Sequence, residues 1–345
     1  MRLSFSPTVL GVCCVGVSVS AFAPTQPQVP RFTQPSSRTQ LWTSAASSSV
    51  VTDDNNQNDA TLSPMQRKKR ERRALLRREG GRLAFDTPIG ALNPFAIYCA
   101  LVSILLSIPW FIALTTMQLV YALTRNRFDR QRRIPVFLNH LWGATLLTLT
   151  RCWPKAENME ILQSFYKEGR PAMFVANHNS WMDIPYLGST IGWRNYKIIA
   201  KKELSKVPAL GKAIYLGGHV MVDRTDRKSQ LKTLKTGIQY LKDGVHLCTF
   251  PEGTRSRTGK VLPFKNGAFK MAYKAGAPII PLSIVGANKM MPAHWMFPFR
   301  SGHGITKVIV HDPIECKGKT EAELAAEVRK VMLSGLPLDQ RSDNE

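Results

Sequence analysis

Between Thr87 and Thr124 the chain carries no Asp, Glu, Lys or Arg, and its inner part from Phe95 to Leu123 is largely apolar. At about 1.5 Å of rise per residue, a helix over that inner part is long enough to cross the hydrocarbon core of a bilayer. Pro109 interrupts the run, and a second uncharged stretch, Ile134 to Thr150, follows a connector carrying Arg125, Arg127, Arg130, Arg132 and Arg133. Two apolar segments joined by a basic turn fit true spans, and they fit equally a helical hairpin that dips into one leaflet. The soluble reading is a pair of buried core helices, against which the length of the first run counts. Residues 87–150 are therefore expected to form a membrane-associated two-helix segment.

What precedes this segment reads as processing and linker sequence. Arg2, the uncharged run Val9 to Val19 and the small pair Ser20-Ala21 have the layout of a signal peptide. From Phe22 to Thr52 there is no Asp or Glu while Ser, Thr, Pro and Gln recur with Arg31 and Arg38, a transit-peptide composition. The join Ser20-Ala21-Phe22-Ala23-Pro24 resembles the bipartite leader of algae with secondary plastids, which implies that residues 1–51 are removed and that the protein works at a plastid membrane. Plain secretion, or the endoplasmic reticulum membrane, is the competing destination. Residues 52–86 read as a disordered polar and basic linker, in which Arg67 to Arg82 holds nine basic residues against Glu71 and Glu79. By composition such a run suits a nucleic-acid arm or a nuclear signal. Its position just before a long apolar segment suits a polybasic patch facing anionic lipid better.

The formal net charge of +23 calls for an anionic partner, and nucleic acid, anionic lipid and an acidic carrier protein all satisfy the sign. Loss of residues 1–51 removes only Arg2, Arg31 and Arg38, so +20 remains and the basic character belongs to the mature chain. Six scattered cysteines give neither zinc spacing nor a disulfide framework. After Lys155 short apolar runs alternate with amphipathic ones. Strands are predicted over Ala172–Ala176, Lys197–Ala200, Val220–Val222, His246–Phe250, Ile279–Val285 and Lys307–Val310. Helices are predicted over Glu157–Lys167, Asp226–Leu241, Gly267–Ala275 and Thr320–Met332. This alternation predicts an α/β domain over residues 151–335, a mixed β-sheet flanked by helices, with a tail over 336–345.

Three stretches of the domain carry chemistry. In Asn177-His178-Asn-Ser-Trp-Met-Asp183 the imidazole can accept a proton near neutral pH, and a carboxylate can fix its tautomer. Five residues of regular helix would turn the two side chains to different faces, and Pro185 suits the first turn of a helix, so both are expected on the loop between a strand and that helix. A loop histidine and a helix cap is the plain alternative. Phe250-Pro-Glu252-Gly253-Thr254-Arg255-Ser-Arg257, extended by Lys265, has the donors and glycine of a phosphate clamp, with Glu252 holding an arginine or the loop itself. Gly217 to Arg224 brings a glycine turn and Arg224, which can add a second phosphate contact or form a structural ion pair with Asp223. Pro278 to Gly286 reads as a buried strand flanked by prolines.

Taken in order, Asn177-His178 with Asp183, Gly218 to Arg224, Pro251-Glu252-Gly253-Thr254-Arg255 and Pro278 to Gly286 resemble the four motifs of the glycerolipid acyltransferases. The Pro-Glu-Gly-Thr-Arg-Ser-Arg form followed by Phe264-Lys265-Asn266-Gly267 is most similar to the 1-acyl-glycerol-3-phosphate acyltransferases. The resemblance implies that His178 takes the proton of the sn-2 hydroxyl of lysophosphatidic acid while Asp183 orients it, with no acyl-enzyme. It implies that Arg255, helped by Glu252, Gly253, Thr254, Lys265 and Arg224, holds the acceptor phosphate, and that Pro281 shapes the acyl site. It implies no cofactor or metal, only an acyl thioester co-substrate, acyl-CoA or acyl-ACP. Glycerol-3-phosphate and headgroup-bearing lysophospholipids are the rival acceptors. A basic nucleic-acid-binding protein is the rival from another class, and it leaves the motifs and the apolar run unexplained.

Overall fold

The computed structural model describes residues 63–342, apart from Ile89 and Pro208. The leader expected over residues 1–51 lies outside the described residues. The first elements are α1 (Pro64–Gly80), the short strands β1 (Phe85–Thr87) and β2 (Gly90–Leu92), α2 (Pro94–Leu123) and α3 (Arg133–Leu149). There follow β3 (Lys155–Glu157), α4 (Met159–Lys167), β4 (Met173–Ala176), α5 (Asp183–Ile191), β5 (Tyr196–Lys201), α6 (Leu210–Leu216) and β6 (Val220–Val222). The chain ends with α7 (Arg227–Lys242), β7 (His246–Thr249), α8 (Gly267–Ala275), β8 (Ile279–Val285), α9 (Ala287–Met290), β9 (Lys307–Val310) and α10 (Glu321–Ser334).

The main sheet has the order β3-β9-β8-β4-β7-β5-β6. Strands β8, β4, β7, β5 and β6 run parallel, and β9 pairs antiparallel to β8 before β3 joins it in parallel at the edge. This is the mixed sheet expected. Every residue of β4 and β7 is buried, as strands covered by helices on both faces require. One core side of the sheet gathers Phe174, Ala176, Ile280 and Leu282 with α5, and the other gathers Met173, Val175 and Leu247 with α8 and α10. The strand and helix bounds differ from the expected ones by at most two residues. The three-residue strand β3 and the short α6 are additions, both too brief to show a period.

Two stretches are more ordered than the sequence reading held. Within 52–86, expected as a disordered linker, Pro64–Gly80 is helical: Ser63 and Gln66 form a capping box, Pro64 occupies the first turn, and Arg, Lys, Glu and Leu are good helix formers. Its last turn is fastened by the buried Leu76 and by Glu79, whose Oε2 accepts from His294 Nε2 and Trp295 Nε1, each at 2.7 Å. Of the tail expected over 336–345, the described residues 336–342 also pack, with Gln340 fully buried; its side chain accepts from Gly286 N at 2.8 Å and its main-chain oxygen from Val261 N at 3.0 Å.

Helices α2 and α3 form an antiparallel hairpin. Tyr98 Oη donates to Leu149 O at 2.8 Å near one end, and Trp110 stacks on Trp142 and donates to Asn139 in the middle. At the turn Asp129 caps α3 by accepting from Arg133 N and Ile134 N, both at 2.8 Å, and Tyr121 donates to the same carboxylate. The hairpin lies along the α/β body and is fixed to it at both ends. Asn93, the N-cap of α2, donates to Phe299 O at 2.9 Å, and the fully buried Lys197 of β5 donates to Gln131 O at 2.7 Å. Between these points Leu114 and Tyr121 pack on Ala213 and Leu216 of α6, each large side chain contributing about 1.5–3 kcal/mol of burial. The opposite face of α2 is exposed and apolar, and among the described residues α2 is the one helix long and apolar enough to cross a membrane.

Candidate active site

The motifs meet because of strand direction. The five parallel strands point their carboxyl ends the same way, so the residues that leave β4 (Asn177, His178), β6 (Asp223, Arg224), β7 (Phe250 to Arg255) and β8 (Gly286) emerge along one edge of the sheet. Open α/β sheets bind ligands in the crevice at that edge.

His178 sits on the loop after β4, and Asp183 is the first residue of α5 rather than a loop residue, with Pro185 in the first turn as expected. His178 Nδ1 lies 2.7 Å from Asp183 Oδ2. That oxygen also accepts from Asn179 N at 2.7 Å and Ser180 N at 2.8 Å, so the loop wraps around the carboxylate and fixes it. Asp183 is fully buried and the imidazole slightly exposed. With Nδ1–H directed at the carboxylate, Nε2 is the ring atom left to take a proton. The ring stacks on Phe250 at 4.0 Å between centroids, which prevents it from rotating away.

The clamp loop is bonded to the histidine loop. Ser256 N donates to His178 O at 2.8 Å, while Glu252 Oε1 accepts from His178 N at 2.8 Å and Oε2 from Leu262 N at 2.9 Å. Glu252 thus holds the loop, not an arginine, and both oxygens are spent on the backbone. Burial pushes its pKa up to about 8 against those two N–H donors, which favour the carboxylate. Arg255 is half-buried; burial lowers its pKa and the Asp183 carboxylate opposes the shift. Gly253 has φ +76°, and the Lys265 side chain lies so close over it that an added Cβ would stand 3.0 Å from Nζ. A side chain there meets both backbone strain and a clash. Arg224 reaches across to donate to Gly253 O, and exposed Thr254 follows. These residues form one basic rim.

Pro281 is not brought to the rim. It lies inside β8 in register with Val175, fully enclosed, and its carbonyl accepts from His311 N at 3.1 Å. Its missing N–H falls just outside the β9 ladder, whose register begins at Leu282, so its evident part is in the sheet.

The sequence reading missed three features. Asn177 is buried and clasps Ile284 on both sides, donating to its carbonyl at 2.9 Å and accepting from its amide at 2.7 Å, which ties the histidine loop to the end of β8. Trp181 and Met182, inside the motif, open onto an apolar cavity of about 270 Å³ between the hairpin and the sheet, lined also by Trp110, Trp142, Ile198 and Phe297. Ser180 Oγ donates to Met291 O at 2.9 Å, joining the loop to another wall residue of that cavity. The unexplained Trp and Met within the motif were the only sequence signal for the cavity.

Comparison with known proteins agrees with this arrangement. An acyltransferase family model matches residues 155–285. A 1-acyl-sn-glycerol-3-phosphate acyltransferase of Chlamydomonas reinhardtii is 34% identical over 241 residues, 68% of this chain and 67% of its own length. Two chloroplastic proteins of that name, from Brassica napus and Arabidopsis thaliana, are each 35% identical and are covered over 52% and 57% of their lengths, with 54% and 61% of this chain matched. This chain therefore spans about two thirds of the algal relative and little more than half of the plant ones. Among solved structures, the 1-acyl-sn-glycerophosphate acyltransferase PlsC of Thermotoga maritima superposes with a TM-score of 0.51 at 29% identity, covering 69% of this chain and 95% of PlsC. With the His178–Asp183 dyad, the adjoining basic rim and the mixed sheet, these matches show that the chain belongs to the acyltransferase family that includes the 1-acyl-sn-glycerol-3-phosphate acyltransferases.

Proposed function

We propose that the protein transfers a fatty acyl group from an acyl thioester to the sn-2 hydroxyl of lysophosphatidic acid, giving phosphatidic acid, at a plastid membrane. The observation that carries this reading is the bond from Ser256 N to His178 O, which holds an oriented imidazole and a half-buried arginine on one rim. In the reaction His178 Nε2 takes the hydroxyl proton as the oxygen attacks the thioester carbonyl. A C–O bond forms, the tetrahedral centre collapses, the C–S bond breaks, and the imidazolium returns the proton to the departing thiolate. Asp183 keeps Nδ1–H in place and steadies the imidazolium through that cycle. Arg255 binds the acceptor phosphate, with Arg224 and Lys265 adding positive charge and Gly253 and Thr254 letting it approach the backbone. The apolar cavity beside Trp181 takes an acyl chain.

The membrane location follows from substrate and surface together. Lysophosphatidic acid resides in a bilayer, and the exposed apolar face of α2 supplies a surface to enter one. The start of α2 and the turn that follows it are both bonded to the same body, so the hairpin enters a single leaflet and lies in its plane. The chloroplastic plant relatives and the leader-like N-terminus support the plastid. Labelled acyl-CoA or acyl-ACP, offered with lysophosphatidic acid, glycerol-3-phosphate or a headgroup-bearing lysophospholipid in competition, tests the reading. Preferential use of lysophosphatidic acid is the expected result, and preference for another acceptor overturns it; the same assay ranks the two donors.

A further inference from the structure

The exposed polybasic helix α1 is left unused by the chemistry. Every residue from Pro64 to Leu75 is exposed, and the helix is fastened only through its second half, from Arg72 on. Arg67, Lys68, Lys69 and Arg70 crowd its first turns with no acidic residue at the start, which sets positive side chains against the positive end of the helix dipole. So many exposed positive side chains on one helix are best matched by an extended anionic surface.

Its neighbours indicate what that is. Gly80 O, at the carboxyl end of α1, accepts from Asn93 Nδ2 at 3.0 Å, so the basic helix abuts the start of the apolar one. Along α2 the side chains of Leu101, Ile104, Leu105, Ile108, Phe111 and Ile112 are exposed at helical spacing, a single apolar stripe. At the far end, about 45 Å on for a helix of 30 residues, Arg125, Arg127 and Arg130 are exposed in the turn before α3. An apolar stripe with a basic cluster at each end matches the layers of a bilayer leaflet, acyl chains below and anionic headgroups at the surface. Nucleic acid and an acidic protein match the charge and leave the stripe exposed.

Building on the membrane location proposed above, we infer that α1 is a headgroup-binding arm, which with the Arg125–Arg130 turn makes the protein dock on bilayers carrying anionic lipid in preference to zwitterionic ones. Glu79, Leu76 and the Arg72–Asp86 pair fasten the arm to the body, so its charges act at a fixed distance from the stripe.

The test compares the full chain with a variant carrying Lys68→Gln, Lys69→Gln, Arg73→Gln and Arg77→Gln, changes that keep helix propensity and every fastening residue. Sedimentation is measured with vesicles of phosphatidylcholine alone and with one third phosphatidylglycerol. The unaltered protein is expected to favour the mixed vesicles. The variant is expected to lose on the order of several hundredfold of that affinity at low salt, with an unchanged melting temperature, because each of the four charges near an anionic surface contributes roughly fivefold. The difference is expected to shrink as salt rises. Equal binding by protein and variant, equal binding to both vesicles, or tighter binding to a DNA duplex or an acidic carrier protein overturns the inference. Acylation of lysophosphatidic acid in detergent micelles by the unaltered protein is measured in parallel: its absence sinks the proposed reaction and leaves the vesicle result to be judged by itself.

Discussion

The cleft and the α1–α2 face are both basic, and they are built on opposite plans. In the cleft the groups are few, the dyad, Glu252 and Arg255 are buried or half-buried, and the carboxylates are bonded to named partners: Asp183 Oδ2 accepts three donors, and both oxygens of Glu252 are engaged. On the α1–α2 face the charges are many, exposed and attached to a helix that touches the body only through its second half. Electrostatic interactions in a partly desolvated cleft are strong and little screened, whereas exposed charges are weak singly and additive. The contrast teaches where specificity resides. One cleft residue should matter greatly, and no one face residue should.

The sharpest break of that contrast is at His178. Replacement with Ala should lower kcat by about 10² to 10⁴, the usual contribution of a positioned general base, while the melting temperature stays near that of the parent. Asp183→Asn should cost nearly as much, since it loosens the tautomer and the loop that wraps around it. An acyl-transfer assay in micelles measures both, and full activity in either variant would remove the dyad from the mechanism.

Next in size is Arg255. Charge-assisted hydrogen bonds to a phosphate are worth about 1.5–3 kcal/mol, so Arg255→Ala should reduce kcat/KM for lysophosphatidic acid by roughly 10- to 150-fold, mainly through KM. Arg255→Lys should recover little of this, because a point charge does not replace the planar fork. The loss should change little with salt. A loss that fades as salt rises would place Arg255 with the surface charges and blur the comparison.

The two regions were not equally legible in the sequence. The cleft announced itself by residue type: a histidine with an aspartate five positions on, and a Gly-Thr-Arg turn after a strand. Parallel strand order then brought them together. What stayed hidden there was long-range pairing, such as the bonds of Asn177 to Ile284 and of Gln340 to Gly286, which join positions far apart in the chain. The place of Pro281 stayed hidden for a related reason: a proline motif marks a place in the chain, and only the register with Val175 reveals that it is enclosed within the sheet. On the α1–α2 face, composition gave the positive charge but misjudged α1 as disordered, because charge density masked the capping box at Ser63 and Gln66 and the buried Leu76.

Glu252 tests the buried side of the contrast through pH. Its folded pKa, raised to about 8, exceeds the ordinary value near 4.3 of an unfolded glutamate, so between those limits the folded state holds the extra proton. Stability from this group is therefore fully present at low pH and is lost as pH rises through 8, by at most about 1.4 kcal/mol per unit. Glu252→Gln leaves one backbone donor facing an amide N–H, a constant cost, and has no proton to lose. The gap in melting temperature between parent and variant should narrow as pH rises from 5 to 9. A gap that does not depend on pH would show the carboxylate ionised throughout.

The smallest effect is expected from single changes on α1, and there the uniformity is the test. Each charge near an anionic surface contributes about 1 kcal/mol, so Lys68→Gln, Lys69→Gln or Arg73→Gln alone should weaken binding to mixed vesicles about fivefold or less, by similar amounts whichever is chosen. Micellar acylation should be unchanged in each, because none of these side chains lies on the rim that holds His178 and Arg255. Stepwise accumulation of the changes should lower the affinity and the salt slope together, as loss of screened surface charges requires. One position that dominates the rest would mean that α1 holds a single headgroup in a built pocket, and the exposed face would then resemble the cleft.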